Sequence, residues 1–202
     1  ACYTMETDWQ YKPTNCPDES GTELIEMLMG VRAKGVNFLL NVGPKPDGEI
    51  QIEQEALLRE IALWNFLNNE AVCNIRPWGT VRENNIWYTS SPDNKTVYAF
   101  VTGAGWRYGE RKDFLLRKGN SSINTTVAVL GYASELVECR EGFDASIRGE
   151  QTSEGLLISA VNGLRLYTNN KWPNPVVLKI ENVLAGNESG DSFQKSDMDG
   201  AE

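Results

Sequence analysis

The sequence of 202 residues contains no histidine. It has no Cys-x-x-Cys pair either, so the ligand sets of structural and catalytic zinc sites are missing and a zinc site is not expected. Gly-rich phosphate loops, nucleophile elbows and basic patches do not occur. Cations are scarce, with 19 Lys and Arg against 28 Asp and Glu and a formal net charge of −9. Such a chain is a poor partner for nucleic acid or an anionic membrane surface. No apolar run reaches the ~18 residues that a membrane-spanning helix needs. An internal repeat is absent. So is an initiator methionine: the chain opens mid-element at Ala1-Cys2-Tyr3-Thr4, which reads as a processed or truncated start.

What is present suits a folded protein. Hydrophobic residues make up 41% of the chain, enough for a sizeable core in one large or two small domains. Cys2, Cys16, Cys73 and Cys139 allow three pairings between which sequence cannot choose, and four free thiols are an equal reading. Sequons at Asn94, Asn120, Asn124 and Asn187 fit a secreted or lysosomal glycoprotein.

Residues 1–19 read as irregular, with Pro13 and Pro17 marking a loop. Ser20 and Glu23 have capping-box spacing, and Leu24, Met27, Leu28 and Val31 follow at helical intervals up to Gly35. Phe38 to Val42 is a short apolar run of the kind that forms a strand buried on both faces. Gly43-Pro44 and Pro46-Asp47-Gly48 stop it with turn chemistry. A second helix is predicted from about Gln54 to about Leu67, its apolar face formed by Leu57, Leu58, Ile61, Trp64 and Leu67 and its end set by Asn68-Asn69. Together these segments read as a βα unit of a parallel sheet. From Val81 the period changes to two. Strands are expected at 86–89, 96–101, 113–116, 125–130, 135–139, 155–161 and 175–180, separated by Gly, Pro and Asn turns, which indicates an antiparallel sandwich. The last of them, extended to Val183, alternates like a half-exposed strand. Residues 185–202, polar and poor in apolar side chains, are expected to be disordered.

Several blocks carry a resemblance in the same order. Asn37-Phe-Leu-Leu-Asn-Val-Gly-Pro44, the helix after it and Arg76-Pro-Trp78 resemble the closing strand, final helix and exit of the α-L-fucosidases, glycoside hydrolase family 29. Trp9-Gln10-Tyr11-Lys12 is similar to that family's Trp-Gly-Tyr turn, with Gln10 replacing glycine. Beyond Trp78 the resemblance is architectural only. It implies α/β followed by all-β: residues 1–76 as the last, incomplete portion of a (β/α)8 barrel, 77–184 as a C-terminal β-sandwich, and 185–202 as a tail. The implied parent reaction is retaining hydrolysis of terminal α-L-fucose from a fucosylated glycan through a fucosyl-aspartate. Oligomer formation is left open.

In a barrel of this type the site lies at the C-terminal ends of the strands. That places it at the turn after Val42 and the loop around Trp9. The resemblance puts both catalytic carboxylates before Ala1, so no catalytic residue is assigned and the chain alone is expected to be inactive. Trp9 is the one substrate-binding residue carried over, an aromatic against the apolar methyl face of fucose; the other reading is a tryptophan filling a crevice at the rim. Glu6 and Asp8 flank it and read as solvated loop carboxylates. Glu49, Glu53 and Glu55 suit the start of a helix, and Asn41 suits a buried amide satisfying turn backbone. Trp78, Trp87, Trp106 and Trp172 raise the alternative of a non-catalytic sandwich module that binds carbohydrate or braces a barrel.

Overall fold

The computed structural model describes residues 1–6, 8–14, 17, 19–103, 105–106, 109–132, 144–162 and 174–185. These form mostly sheet with two helices. The chain starts with β1 (Cys2–Thr4), a strand in the segment expected to be irregular. Three residues are too few to display a period. Helix α1 (Gly21–Ala33) opens on the full capping box: Glu23 N donates to Ser20 Oγ, and Ser20 N donates to the Glu23 carboxylate at 2.7 Å. That bond from the Ser20 backbone holds the Glu23 carboxyl below its ordinary range. The helix ends in a Schellman turn. Gly35 takes φ +74°, its N–H reaches Arg32 O at 2.9 Å, and Val36 N reaches Val31 O at 3.1 Å.

The chain then enters β2 (Leu39–Asn41), parallel to β1 with Cys2 opposite Leu39 and Thr4 opposite Asn41. The prediction of a strand buried on both faces is corrected here. β1 is its one partner strand among the described residues, and Leu39 is 52% exposed. Helix α2 (Ile52–Val72) also runs further than predicted. Asn68 leaves helical geometry at φ −114°, ψ 19°, and its side-chain amide donates back to Trp64 O at 2.8 Å. The Asn68-Asn69 pair therefore kinks the helix instead of ending it. Trp64 is buried, whereas Leu57, Leu58, Ile61 and Leu67 are only half covered.

The rest is antiparallel. Strands β3 (Arg76–Glu83), β4 (Ile86–Ser90) and β5 (Thr96–Val101) make a meander. Then come β6 (Arg111–Leu116), β7 (Gly119–Asn120), β8 (Thr126–Val129), β9 (Arg148–Thr152), β10 (Gly155–Val161), β11 (Val176–Glu181) and β12 (Leu184–Ala185). A five-stranded sheet in the order β3-β4-β5-β11-β8 shares one apolar core with a three-stranded sheet β6-β10-β9. Tyr88, Ala99, Leu156, Ile158, Leu178 and Ile180 lie at its centre. β3, β7, β9 and β12 were not predicted: β3 and β9 are largely exposed edge strands, β9 with the polar sequence Arg-Gly-Glu-Gln-Thr, and β7 and β12 have two residues each. The strand expected at 135–139 and the tail beyond residue 185 lie outside the described residues, as do Cys16 and Cys139; Cys2 and Cys73 are free and exposed.

A second core lies on the other face of the five-stranded sheet, where both helices are seated. Ile25 and Met29 from α1 and Trp64, Ala71 and Val72 from α2 meet Tyr98, Phe100 and Val177. Trp64 Nε1 donates to Pro175 O at 2.8 Å. This second layer is why β11 is mostly buried and not half-exposed as its alternation suggested: Val177 is covered by the helices, and Leu178 and Ile180 by the other sheet. At the edge of the layer Tyr98 donates to Glu70 Oε2 at 3.2 Å, and Lys179 pairs with Glu70 at 2.9 Å. Burial, then the Glu70 charge, push the Tyr98 hydroxyl up to about 12. A group with a raised folded pKa contributes stability that is complete below its unfolded pKa of ~10 and is lost as pH rises. We expect stability to fall between about pH 10 and about 12 as Tyr98 ionises, and urea titrations at stepped pH should find that fall shallower in Tyr98→Phe than in the unsubstituted chain.

Candidate functional site

The C-terminal ends of β1 and β2 lie side by side, and the loops leaving them interlock. Met5, fully buried, donates its N–H to Asn41 O at 3.4 Å. Thr4 Oγ1 donates to Asp8 O at 3.0 Å, and Asn41 Nδ2 donates to Trp9 O at 2.7 Å. Asn41 thus holds turn backbone, as expected, from a half-buried position. Gly43 passes directly beneath the first loop: a Cβ there would stand 2.9 Å from Tyr11 N, so no larger residue fits without moving the chain. Trp9 is left 57% exposed at the rim. Gln10 keeps a backbone outside the left-handed region, so glycine is not required at that position.

Glu6 is a correction. It was expected to be a solvated loop carboxylate, and it is 4% exposed. Its Oε1 accepts from Gln54 Nε2 at 2.5 Å, and Gln54 Oε1 accepts from Gly43 N at 3.2 Å. Sequence reasoning missed this pair. An isolated acid in a loop carries no burial signal. Gln54 did carry one, since it falls in phase with Leu57, Leu58, Ile61 and Trp64 on the apolar face of α2.

The turn after β2 is closed by charges. Lys45 Nζ lies 2.8 Å from Glu49 and 3.3 Å from Asp47, and Asp47 Oδ1 accepts from Glu49 N at 3.0 Å. The Glu49 backbone amide, and then Lys45, hold the Asp47 carboxyl below its ordinary range; the Lys45 ammonium does the same to Glu49. Neither suits a proton donor. Glu49 therefore serves this turn, and Glu53 and Glu55 occupy the first turn of α2. Asp8 pairs with Lys12. Among the described residues no group of three or more His, Cys, Asp or Glu could hold a metal ion.

The tryptophans of the antiparallel part form no shared platform among the described residues. Trp78 meets Tyr88 at a tilt with centroids 5.0 Å apart, and Trp106 meets Phe114 edge-on in the core. Trp87 has Arg82 at 4.6 Å and Lys34 at 5.7 Å from its ring centroid. Trp172 lies outside the described residues.

Residues 1–70, which include the two interlocked loops, match the sequence model of the family described as Alpha-L-fucosidase. The chain is a relative of the α-L-fucosidases. It is 31% identical over 158 residues to an Alpha-L-fucosidase of Dictyostelium discoideum, covering 78% of this chain and 30% of that protein. It is 34% identical over 142 residues to the Tissue alpha-L-fucosidase of Mus musculus, with 67% and 30% covered. With the Plasma alpha-L-fucosidase of Rattus norvegicus the identity is 36% over 117 residues, covering 56% and 25%. The chain thus spans a third or less of the length of these relatives. In fold it resembles the Thermotoga maritima alpha-fucosidase solved with a mechanism-based inhibitor, at TM-score 0.66 and 21% identity, covering 89% of this chain and 39% of that one. It also resembles the alpha-L-fucosidase of Vibrio sp. strain EJY3, at TM-score 0.65 and 25% identity, covering 92% and 30%.

The grip of Asn41 on the rim has a measurable consequence. Asn41→Ala removes one exposed hydrogen bond, a loss of about 0.5 kcal/mol. Amide exchange is expected to quicken at residues 8–12 and to stay unchanged in α1, which hydrogen-exchange mass spectrometry resolves.

Proposed function

We propose that this chain is the C-terminal part of a retaining α-L-fucosidase that removes terminal α-L-fucose from glycans. In this reading residues 1–76 close a (β/α)8 barrel and residues 77–184 form the β-sandwich behind it. The observation that carries it is the pair of parallel strands flanked by helices, with Trp9 exposed where both strands end. That is the face on which barrel enzymes bind substrate. The open side of β2, with Leu39 exposed, supports further barrel strands in the parent protein.

A retaining glycosidase uses two carboxyl groups ~5–5.5 Å apart, one as nucleophile and one as acid and base. Earlier strands supply both in this proposal. Asp47 and Glu49 are committed to Lys45, and Glu6 is committed to Gln54. Trp9 contributes packing on the apolar face of fucose, and no metal or cofactor takes part. The chain alone is therefore expected to release no fucose from an aryl α-L-fucoside above a buffer blank. In the longer parent, Trp9→Ala is expected to raise KM with little change in kcat, a loss on the order of 1–3 kcal/mol of binding. Steady-state kinetics decide both points; turnover by the 202-residue chain, or an unchanged KM, would overturn them.

Passage through the secretory route belongs to the same proposal. The sequons support it, as do relatives named plasma and tissue fucosidases. Three of the four sequons differ in exposure, and Asn187 lies outside the described residues. Asn94 is exposed at the tip of the β4–β5 hairpin, and Asn124 is exposed beside the fully exposed Ile123. Asn120 is half-buried in the ladder between β7 and β12. In chain secreted from eukaryotic cells, Asn94→Gln and Asn124→Gln should each remove one glycan from the intact mass, and Asn120→Gln none.

A further inference from the structure

Gln54 and Glu6 join three elements at the mouth formed by β1 and β2. Gln54 comes from the first turn of α2 and is fully buried. One end of its amide receives the Gly43 N–H just past β2; the other donates to the Glu6 carboxylate just past β1. Trp9 follows Glu6 by three residues. Its backbone is pinned from the remaining sides by Asn41 Nδ2, and by Thr4 Oγ1 through Asp8 O. Its neighbour Tyr11 rests on Gly43, the residue that Gln54 holds.

The chemistry of the pair is informative. Desolvating a carboxylate is costly, and the Gln54 amide supplies one of the hydrogen bonds that offset it. Apolar side chains of similar size would fill this space at lower cost. What they would not supply is direction. A carboxamide with one donor and one acceptor end fixes the distance between the two loops, because each end accepts only one kind of partner. Buried polar groups of this sort are placed where a unique arrangement matters, and here the arrangement is that of the loop carrying Trp9.

We propose that Gln54 and Glu6 are a positioning pair that sets the Trp9 rim for the sugar. The inference rests on the fucosidase reading only for the identity of that ligand. Neither residue touches substrate. They act through the backbone of Glu6 and of residues 8–11, and binding sites lose much of their effect when a contacting group is misplaced by about 1 Å.

The test uses the 202-residue chain labelled with 5-fluorotryptophan, its six fluorine resonances assigned by single Trp→Phe substitutions. Gln54→Leu, which removes both hydrogen bonds at similar volume, should shift or broaden the Trp9 resonance and leave the other tryptophans in place. Glu6→Gln keeps an acceptor for the Gln54 amide and should retain the wild-type Trp9 signal. In the longer parent enzyme, Gln54→Leu should raise KM on the order of tenfold with kcat nearly unchanged, and Glu6→Gln should leave both near wild type. A Trp9 resonance unmoved by Gln54→Leu overturns the inference. So does a collective shift of all the tryptophans, which would make the pair general support for the fold. A Trp9 resonance that moves while KM of the parent stays constant supports the pair and overturns Trp9 as a sugar contact, so the two readings fail separately.

Discussion

The seating of Trp64 on the outer face of the five-stranded sheet joins the two halves of this molecule. Its ring lies 6.3 Å from that of Phe100, and its indole N–H is satisfied by Pro175 O. Burial of a side chain this large contributes about 1.5–3 kcal/mol, and the hydrogen bond fixes where along the sheet α2 sits. From that point the rest follows. α1 docks beside α2 with Ile25 and Met29 in the same cluster, and Gln54 of α2 ties that helix to the loops after β1 and β2. The antiparallel sheets are therefore the floor on which the two helices are seated.

Seen this way, the loops at the mouth are the top of a stack. The lower layer is the core between the two sheets, the middle layer is the helix-facing core, and above them sit the polar ties of Gln54, Glu6, Asn41 and Thr4. The transition from apolar to polar cohesion is sharp. Met5 is fully buried, and Glu6, its neighbour, is already in the hydrogen-bonded layer. Apolar contact supplies most of the energy in such an arrangement, and the directional bonds select one loop geometry among many of similar compactness.

Much of the fold was legible from periodicity. The capping box at Ser20 and the strands β4, β5, β6, β8 and β10 appear where their patterns predicted, because each buries at least one face in step with its period. β1 is too short to display a period and pairs with a strand far along the chain, whereas β9 is a polar edge strand in a hairpin with β10; neither carries an apolar pattern. β11 reads as amphipathic although the helices cover its second face, a fact of tertiary arrangement. Asn68-Asn69 looks like a stop because asparagine competes for backbone hydrogen bonds; the packing of Ala71 and Val72 carries the helix past it. At the site, Trp9 and Asn41 could be singled out. Glu6 could not, because what makes it special is a glutamine 48 residues away.

The order of strands in the five-stranded sheet also governs when this chain can fold. β11, the last strand of more than two residues among those described, is inserted between β5 and β8, which precede it by many residues. Until residues 176–181 leave the ribosome, β5 and β8 have no common neighbour. Phe100 and Trp64 lack Val177, and the indole N–H of Trp64 lacks Pro175 O. Both cores are thus completed by the same late segment. Nascent chains that stop short of it expose two apolar faces at once and depend on chaperones for longer than chains whose sheets grow from one edge.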